Sequence, residues 1–320
     1  MKSKAWTEKV MQGVFFIAAC ASVLAVALIC IFLFANGIPA MKEIGFGNFL
    51  SGEMWKPKNE IFGILPMIVG SLYVTAGAII FGVPVGILTA VFMAYYCPKK
   101  IYKPLKAATE LLAGIPSVVY GFFGLVVIVP VIRTLGRDLG FGGNGSSILT
   151  ASILLGMMIL PTIIGLTESS VRAVPEQYYE GAVALGATHE RAIFRVVIPA
   201  AKSGVVAAIV LGVGRAIGET MAVIMVAGNQ ARMPAGIFRG VRTLTANIVI
   251  EMGYATGLHR EALIATGVVL FVFILIIIKS LYRCDLDDRK CFSLDHADRK
   301  LTSFYIFFHD QVFFPAERLI

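Results

Sequence analysis

The chain has 320 residues, of which 58% are hydrophobic and only 15% are charged. Soluble domains carry roughly 45–50% apolar and about 25% charged residues, so this composition excludes a soluble globular enzyme and a disordered chain. The formal net charge of +8 raises the question of nucleic-acid binding, but long apolar runs separate the basic residues. We therefore expect an integral membrane protein with no nucleic-acid partner.

Six apolar stretches are long enough to cross a bilayer, which takes about 20 helical residues. They cover residues 14–35, 62–96, 108–132, 147–167, 203–228 and 262–282. Because lipid cannot satisfy an open strand edge, we predict an all-α polytopic membrane protein with six transmembrane helices. The first stretch is longer than the about 7–15 apolar residues of a signal peptide, which favours an uncleaved helix. We place a bend in the second at Pro84.

Lysine and arginine residues in the loops set the predicted orientation. The short loop 98–107 carries four lysines and no acid. The positive-inside rule places this loop, and with it both termini, in the cytoplasm. The predicted organisation is a first helix with an extracytoplasmic loop (1–60), a five-helix transmembrane domain (61–283) and a cytoplasmic tail of unknown role (284–320).

The segment 169–202, between the fourth and fifth spans, is too long for a simple turn and has the signals of two short helices. Pro175 suits the first helical position, and Gly186 suits a left-handed C-cap. Thr188 can cap the second helix, which Pro199 would end. On these signals alone, an amphipathic hairpin on the membrane surface with no partner is an equal alternative.

Within this segment, the sequence resembles the EAA loop of ABC-transporter permeases. The matching residues run Glu180-Gly181-Ala182-Val183-Ala184-Leu185-Gly186-Ala187, with Pro199 near the end. Gly181 departs from the pattern, which has alanine there. The resemblance implies that Glu180, Gly181, Ala182, Gly186 and Pro199 belong to a coupling loop that docks on a separate ATPase subunit.

A wider resemblance, from about residue 60 to 283, is to the PstC-type permeases of phosphate import systems. It is carried by the stretches 111–121, 172–175 and 214–222. It implies a type I ABC importer permease (MetI-like) fold and half of the pathway of an ATP-driven phosphate importer in the bacterial inner membrane. The implied partners are a PstA-type permease, two PstB-type ATPase subunits and a PstS-type phosphate-binding protein.

The resemblance also implies that the chain is not an enzyme. No catalytic residue, metal site or cofactor is expected in it, and ATP would be bound by the partner subunits. In agreement, the sequence has no G-x-x-x-x-G-K-[S/T] phosphate-binding loop.

Arg215 and Glu219 are the charges predicted to lie deepest in a span, about 12 and 16 residues into the fifth. A charge there costs about 2.5–3.5 kcal/mol on insertion, so a lipid-facing position is implausible. Their spacing allows a pair on one helix face. They either form a buried ion pair that fixes helix packing or line the pathway, where a guanidinium suits phosphate oxygens. The resemblance favours the pathway, and Thr220 is assigned to it with them.

Small residues suggest further local structure. The pairs Gly82/Gly86 and Gly214/Gly218 are predicted to allow close helix approach. The residues 114–117 (Gly-Ile-Pro-Ser) either break the third span near its cytoplasmic end or only kink it.

The predicted outer loop 229–260 carries the basic residues Arg232, Arg239, Arg242 and Arg260. These either attract an oxyanion or an acidic partner surface, or are simply solvated. We interpret His189 and His259 as isolated loop histidines.

Two alternatives remain for the function. The chain could be a permease for another oxyanion, such as molybdate or sulfate, or the sister phosphate permease. A different class is a proton-coupled carrier or channel that uses Arg215 and Glu219 without ATP.

Overall fold

The computed structural model describes the backbone of residues 2–290 and the side chains of residues 10–281. Of the predicted tail 284–320, the backbone as far as Lys290 continues the last helix, and residues 291–320 lie outside the described part. The helices in chain order are α1 (Lys2–Ile44), α2 (Phe46–Ser51), α3 (Leu65–Val91), α4 (Lys99–Gly114), α5 (Ser117–Phe123), α6 (Val129–Asp138), α7 (Ile148–Arg172), α8 (Glu176–Ala184), α9 (His189–Ala192), α10 (Ile198–Ala200), α11 (Lys202–Gly218), α12 (Met221–Val226), α13 (Leu244–Met252) and α14 (Gly257–Lys290).

Three π-helical turns join neighbouring helices: Phe92–Tyr96 follows α3, Gly124–Ile128 links α5 to α6, and Ile193–Val197 links α9 to α10. The two strands, β1 (Trp55–Lys56) and β2 (Ile61–Phe62), form an antiparallel hairpin around a 3₁₀ turn at Pro57–Asn59.

Within the described residues, five helical segments are long and apolar enough to cross a membrane. They are Val10–Ile44, Leu65–Tyr96, Ser117–Asp138, Ile148–Arg172 and Gly257–Leu281. A sixth span results if His189–Ala200 and Lys202–Gly218, which meet at an angle of 70°, are counted as one bent element. The predicted all-α polytopic fold is therefore confirmed. The fifth predicted span (203–228) is broken after Gly218, and the 70° bend lies just before it.

The third span begins later than predicted. Residues 99–114 form the separate amphipathic helix α4, and Ile115 is extended (φ −69°, ψ 126°) before the span starts at Ser117. Of the two predictions for residues 114–117, the break is confirmed. Its cause is Pro116, which disfavours the helical conformation of the residue before it.

Helix α3 runs through Pro84 as one continuous helix, and a π-helical turn follows it at Phe92–Tyr96. The bend at Pro84 stays a prediction.

The centre of the molecule is the close pair α3 and α7, packed through glycines. A Cβ atom added at Gly82 would lie 2.8 Å from Ile159 Cδ1 and 2.9 Å from the carbonyl oxygen of Gly156. One added at Gly86 would lie 2.7 Å from Ile163 Cγ2. The predicted close approach at this glycine pair is confirmed.

The second glycine pair behaves differently. A Cβ atom at Gly214 or Gly218 would meet no atom of another element within 4 Å among the described residues. The prediction that this pair packs against another helix is therefore wrong for contacts inside this chain.

The two ends of the molecule are built differently. We call the end formed by residues 45–64 and 227–256 the hairpin end, and the end formed by residues 97–116 and 173–200 the loop end. At the hairpin end, a second hydrophobic core joins the last turns of α1 to the start of α14, with Phe49, Trp55 and Phe62 buried between them. The preceding apolar part of α1 has no buried residue, as expected for a helix surrounded by lipid or by another subunit.

We expect the substitution Gly82→Ala to lower the free energy of unfolding by about 1–3 kcal/mol, because the added methyl group would press on the backbone of α7. The matched control is Gly165→Ala in α7, where a Cβ would meet nothing within 4 Å. Thermal unfolding of the purified variants in detergent measures both. Equal unfolding temperatures for the two variants would contradict the packing described for α3 and α7.

Candidate functional site

The helix that carries Arg215 and Glu219 breaks between Gly218 and Met221. Glu219 has an extended backbone (φ −68°, ψ 130°), so α11 ends before it. The Oε1 atom of Glu219 accepts hydrogen bonds from the backbone N–H groups of Thr220 (3.2 Å) and Ala222 (3.3 Å). The carboxylate thus accepts from two backbone N–H groups at the start of α12, and the start of a helix is the end at which a negative charge is favoured.

Arg215 lies in the last turn of α11 and is exposed on the surface of the chain. Its Nη1 atom donates to Thr162 Oγ1 at 3.3 Å, and no ion pair among the described side chains joins it to Glu219. The ion pair, one of the two alternatives for these residues, is therefore not formed in the structure. Its reason is that a four-residue spacing places two side chains on one face only in a continuous helix. An exposed guanidinium in this span needs a polar environment that lipid cannot supply.

Hydroxyl groups hold the backbone at the break. Thr245 Oγ1, at the start of α13, donates to the carbonyl oxygen of Glu219 at 3.1 Å. Thr220 Oγ1 donates to the carbonyl oxygen of Gly218, also at 3.1 Å. The three predicted pathway residues, Arg215, Glu219 and Thr220, therefore lie around one break in the helix, fixed by threonines.

The segment 173–200 has the predicted signals with two exceptions, at Pro175 and at Pro199. Pro175 directly precedes α8 instead of being its first residue, and Gly186 has the left-handed φ of +84°. Thr188 Oγ1 accepts from the backbone N–H of Arg191 at 3.4 Å, as predicted. Pro199, predicted to end the helix, instead lies inside α10.

Pro199 follows directly after the π-helical turn Ile193–Val197, where the regular helical hydrogen bonds are already interrupted. The helical run His189–Ala200 continues for one residue past Pro199, and the chain then turns by 70°. The predicted end of the helix is therefore one residue too early.

The outer surface of this segment is strongly exposed. Glu180, Gly181 and Gly186 are exposed, while Ala182 is half-buried. Three apolar side chains, which we call the loop apex, project beside them: Tyr178, Val183 and Leu185, the last with 91% of its surface accessible. Such apolar exposure outside the spans is typical of a surface that binds another protein or the membrane.

The inner surface of the segment is anchored to the end of α3. The Tyr179 ring packs 6.1 Å from Tyr95, and its hydroxyl lies 2.7 Å from His189 Nδ1. The His189 ring meets Tyr96 edge-on at 5.0 Å. The interpretation of His189 as an isolated histidine is therefore wrong, since it connects the segment 173–200 to the π turn of α3.

A buried carboxylate that the sequence analysis missed lies at the loop end. Glu168 of α7 is 1% exposed and accepts hydrogen bonds from Tyr102 (2.7 Å), Lys106 (2.8 Å) and Arg172 (2.9 Å). We call these four residues the Glu168 cluster. The hydrogen bond to Glu168 raises the pKa of Lys106 and also that of the Tyr102 hydroxyl. Lysine and tyrosine side chains are protonated at neutral pH even without such a shift, so both groups can donate to Glu168.

A second cluster that the sequence analysis missed lies at the hairpin end. Glu251 of α13 accepts from Arg242 Nη1 at 2.6 Å and from Trp55 Nε1 at 2.7 Å, and lies 2.9 Å from His259 Nε2. We call these four residues the Glu251 cluster. Arg242 and His259 are each only 15% exposed, so a solvated Arg242 and an isolated His259 were both wrong expectations.

We expect Glu251→Ala to lower the free energy of unfolding by about 3–5 kcal/mol, because it leaves the buried Arg242 and Trp55 donors without their acceptor. The control is Glu261→Ala, on the exposed face of α14, with an expected change within about 0.5 kcal/mol. Thermal unfolding in detergent measures both variants. A Glu251 variant as stable as the control would mean that the cluster does not hold the hairpin end together.

Comparison with known protein families shows to which family the chain belongs. The family described as binding-protein-dependent transport system inner membrane component matches residues 82–284. The chain belongs to this family. Its members are transport permeases of the inner membrane, so this chain is a membrane transport subunit of a system that works with a binding protein.

Several named relatives match over most of their length. The "Phosphate transport system permease protein PstC" of Mesorhizobium japonicum is 38% identical over 78% of this chain and 81% of its own length. The PstC protein of Haemophilus influenzae is 32% identical over 84% of this chain and 90% of its own. The "Probable ABC transporter permease protein YqgH" of Bacillus subtilis is 38% identical over 83% of this chain and 89% of its own.

Solved structures identify the fold. A bacterial ABC transporter involved in the import of alginate aligns with a TM-score of 0.54 at 16% identity, over 84% of this chain and 94% of its own. An inward-facing form of the MetNI methionine ABC transporter aligns with a TM-score of 0.53 at 20% identity, over 72% of this chain and 97% of its own. The predicted type I ABC importer permease (MetI-like) fold is confirmed.

Proposed function

We propose that the chain is the permease subunit of an ATP-driven importer of inorganic phosphate in the bacterial inner membrane. The observation that carries this proposal is the similarity to PstC phosphate permeases at 32–38% identity over most of both chains. The chain supplies half of the translocation pathway, and a PstA-type permease supplies the other half. A PstS-type binding protein delivers phosphate to the hairpin end, which we assign to the outer side of the membrane.

The pathway in this proposal runs past the break between α11 and α12. Arg215 is exposed there, and none of the side chains that the structure describes forms an ion pair with it. A guanidinium offers paired N–H donors that match the oxygens of phosphate. Thr220 adds a hydroxyl beside it. Glu219 stabilises the break through its hydrogen bonds to backbone N–H groups at the start of α12. Its negative charge repels phosphate and thereby favours release of the ion.

The coupling part of the proposal concerns the segment 173–200. Its exposed face, with Glu180, Gly181, Gly186 and the loop apex, docks in a groove of one of two PstB-type ATPase subunits in the cytoplasm. Ala182 and Pro199 belong to the same loop. ATP is bound and hydrolysed by those partners, and this chain itself carries no cofactor. Closure of the ATPases would push the loop as a rigid body, because capped helices and ring contacts hold its shape.

The alternatives differ in substrate or in energy source. A permease for molybdate or sulfate would use the same architecture with different contacts at the break. A proton-coupled carrier built on an Arg215–Glu219 ion pair is less favoured, because Glu219 instead accepts bonds from backbone N–H groups.

We expect Arg215→Ala to abolish phosphate uptake by the reconstituted transporter and Arg215→Lys to restore only part of it, because lysine lacks the paired donors. The control is Arg137→Ala, an exposed arginine at the end of α6. Uptake of labelled phosphate into liposomes, with unlabelled molybdate or sulfate as competitor, measures transport and specificity together.

The double variant Arg215→Ala/Glu219→Ala sharpens the test. We expect it to remain inactive, since the two side chains do not balance each other's charge in the structure. Restored uptake would mean that they form an ion pair in the membrane and that Arg215 is not a phosphate ligand. Uptake of molybdate or sulfate in preference to phosphate would refute the proposed substrate.

We expect Leu185→Asp to prevent association with the ATPase, because it introduces a charge into the exposed loop apex without disturbing the interior. Leu139→Asp, at the opposite end of the molecule, is the control. Co-purification of the ATPase in mild detergent measures the association. Normal recovery of the ATPase with the Leu185 variant would contradict docking through this loop.

A further inference from the structure

The Glu168 cluster lies where the segment 173–200 meets the spanning helices. Glu168 is buried on α7, two of its donors come from α4, and the third, Arg172, is the last residue of α7. The Arg172 guanidinium also stacks over the Tyr102 ring at 4.8 Å. A buried carboxylate with three charge-assisted or hydroxyl hydrogen bonds fixes the relative position of α4 and α7.

One side of the cluster leads to the coupling loop. The Nη2 atom of Arg172 donates to the carbonyl oxygen of Met93 at 2.8 Å, within the π turn Phe92–Tyr96. The same turn carries Tyr95 and Tyr96, which contact Tyr179 and His189 of the loop. A displacement of the segment 173–200 would therefore be transmitted to the Glu168 cluster through the single π turn Phe92–Tyr96.

The other side of the cluster leads to α4 and the break that follows it. None of the 16 residues of α4 is buried, so the helix is held by partly buried contacts and by its hydrogen bonds to Glu168. Its far end is tied to α5 by the hydrogen bond from the Tyr120 hydroxyl to the carbonyl oxygen of Leu112 (2.8 Å). Movement of α4 would thus act on the beginning of the third span.

An open cleft of about 610 Å³ lies beside this break. It is lined by Ala107, Glu110, Leu111, Gly114, Ile115 and Pro116. All of these residues belong to the last turns of α4 or to the break, so the shape of the cleft depends on where α4 lies.

We propose that the Glu168 cluster is a positioning element that makes α4 follow the coupling loop, so that closure of the ATPases reshapes the cleft beside the third span. This inference rests on the proposed function for the existence of an ATPase partner, but not for the identity of the substrate. Lys106 is the decisive residue, because it joins α4 to Glu168 by charge as well as by a hydrogen bond. Coupling between two sites typically changes an equilibrium by about 5–150-fold, and a tenfold effect lies within that range.

The test uses the complete transporter in liposomes with Lys106→Met, which keeps the length of the side chain and removes its charge. The control is Lys103→Met, an exposed lysine on the same helix outside the cluster. We expect Lys106→Met to hydrolyse ATP at nearly the wild-type rate but to transport about tenfold less phosphate per ATP. Lys103→Met should match the wild type, and Lys106→Arg should restore coupling.

A second measurement follows the cleft directly and does not depend on the substrate. Leu111→Cys, in a background with the five native cysteines replaced by serine, reports the accessibility of the cleft to a thiol reagent. We expect its labelling rate to differ between the nucleotide-free and the ATP-trapped complex, and this difference to disappear with Lys106→Met.

The outcomes separate the two proposals. Failure of the wild-type complex to take up phosphate would refute the proposed function, while the labelling of Leu111→Cys would still test the cluster. The role of the cluster is overturned if labelling does not depend on nucleotide in the wild type, or if the dependence persists in Lys106→Met. It is also overturned if hydrolysis and uptake fall in proportion, since this is the result of a purely structural role.

Discussion

A charged side chain inside a lipid bilayer must be paired or hydrated, and this requirement explains where the charged groups of this chain lie. Two buried carboxylates meet it with several donors each, Glu168 at the loop end and Glu251 at the hairpin end. Arg215, in the span between them, donates a hydrogen bond to the hydroxyl of Thr162 at 3.3 Å, and no carboxylate among the described side chains forms an ion pair with it. The structure thus keeps its rigid ionic contacts at the two ends and leaves one exposed guanidinium at a broken helix between them.

The rigid and the adaptable parts of the chain are also separate: the helix pair α3 and α7 is rigid, and the break between α11 and α12 is adaptable. The α3–α7 pair packs through glycines with little room for adjustment, because added Cβ atoms would collide with the opposite helix. By contrast, α11 ends at Gly218 and restarts as α12, with hydrogen bonds from threonine hydroxyls and the Glu219 carboxylate in place of the missing helical ones. A pathway along this break can change shape while the central helix pair keeps the two ends in register.

The sequence was sufficient to predict the parts that depend on local pattern. Apolar runs located the spans, and the caps at Gly186 and Thr188 were predicted from residue type because they depend on single backbone conformations. The start of the third span was missed because the apolar residues at the end of α4 merge with those of the span. Ile115-Pro116 was the signal that separates them.

The errors at the site have a different origin. The Arg215–Glu219 pair, considered as one alternative, assumed that the helix continues through Gly218. Glycine followed by Glu-Thr is also a pattern that can end one helix and cap the next. Only the pair Glu168 and Arg172, four residues apart on α7, could have been found from a local helical pattern. Other partners in the two clusters are far apart in the chain. Lys106 and Glu168 are separated by 62 positions, and Trp55 and Glu251 by 196. No local pattern reports such a contact.

The accessibility of position 215 to water tests the central claim most directly. Arg215→Cys, in a chain whose native cysteines are replaced by serine, can be treated with a membrane-impermeant charged thiol reagent in the complete transporter. The account predicts that position 215 is labelled in at least one nucleotide state, whereas Ile29→Cys on the exposed face of α1 is not. Protection of position 215 in every state, with normal labelling of an extramembrane cysteine, would contradict it.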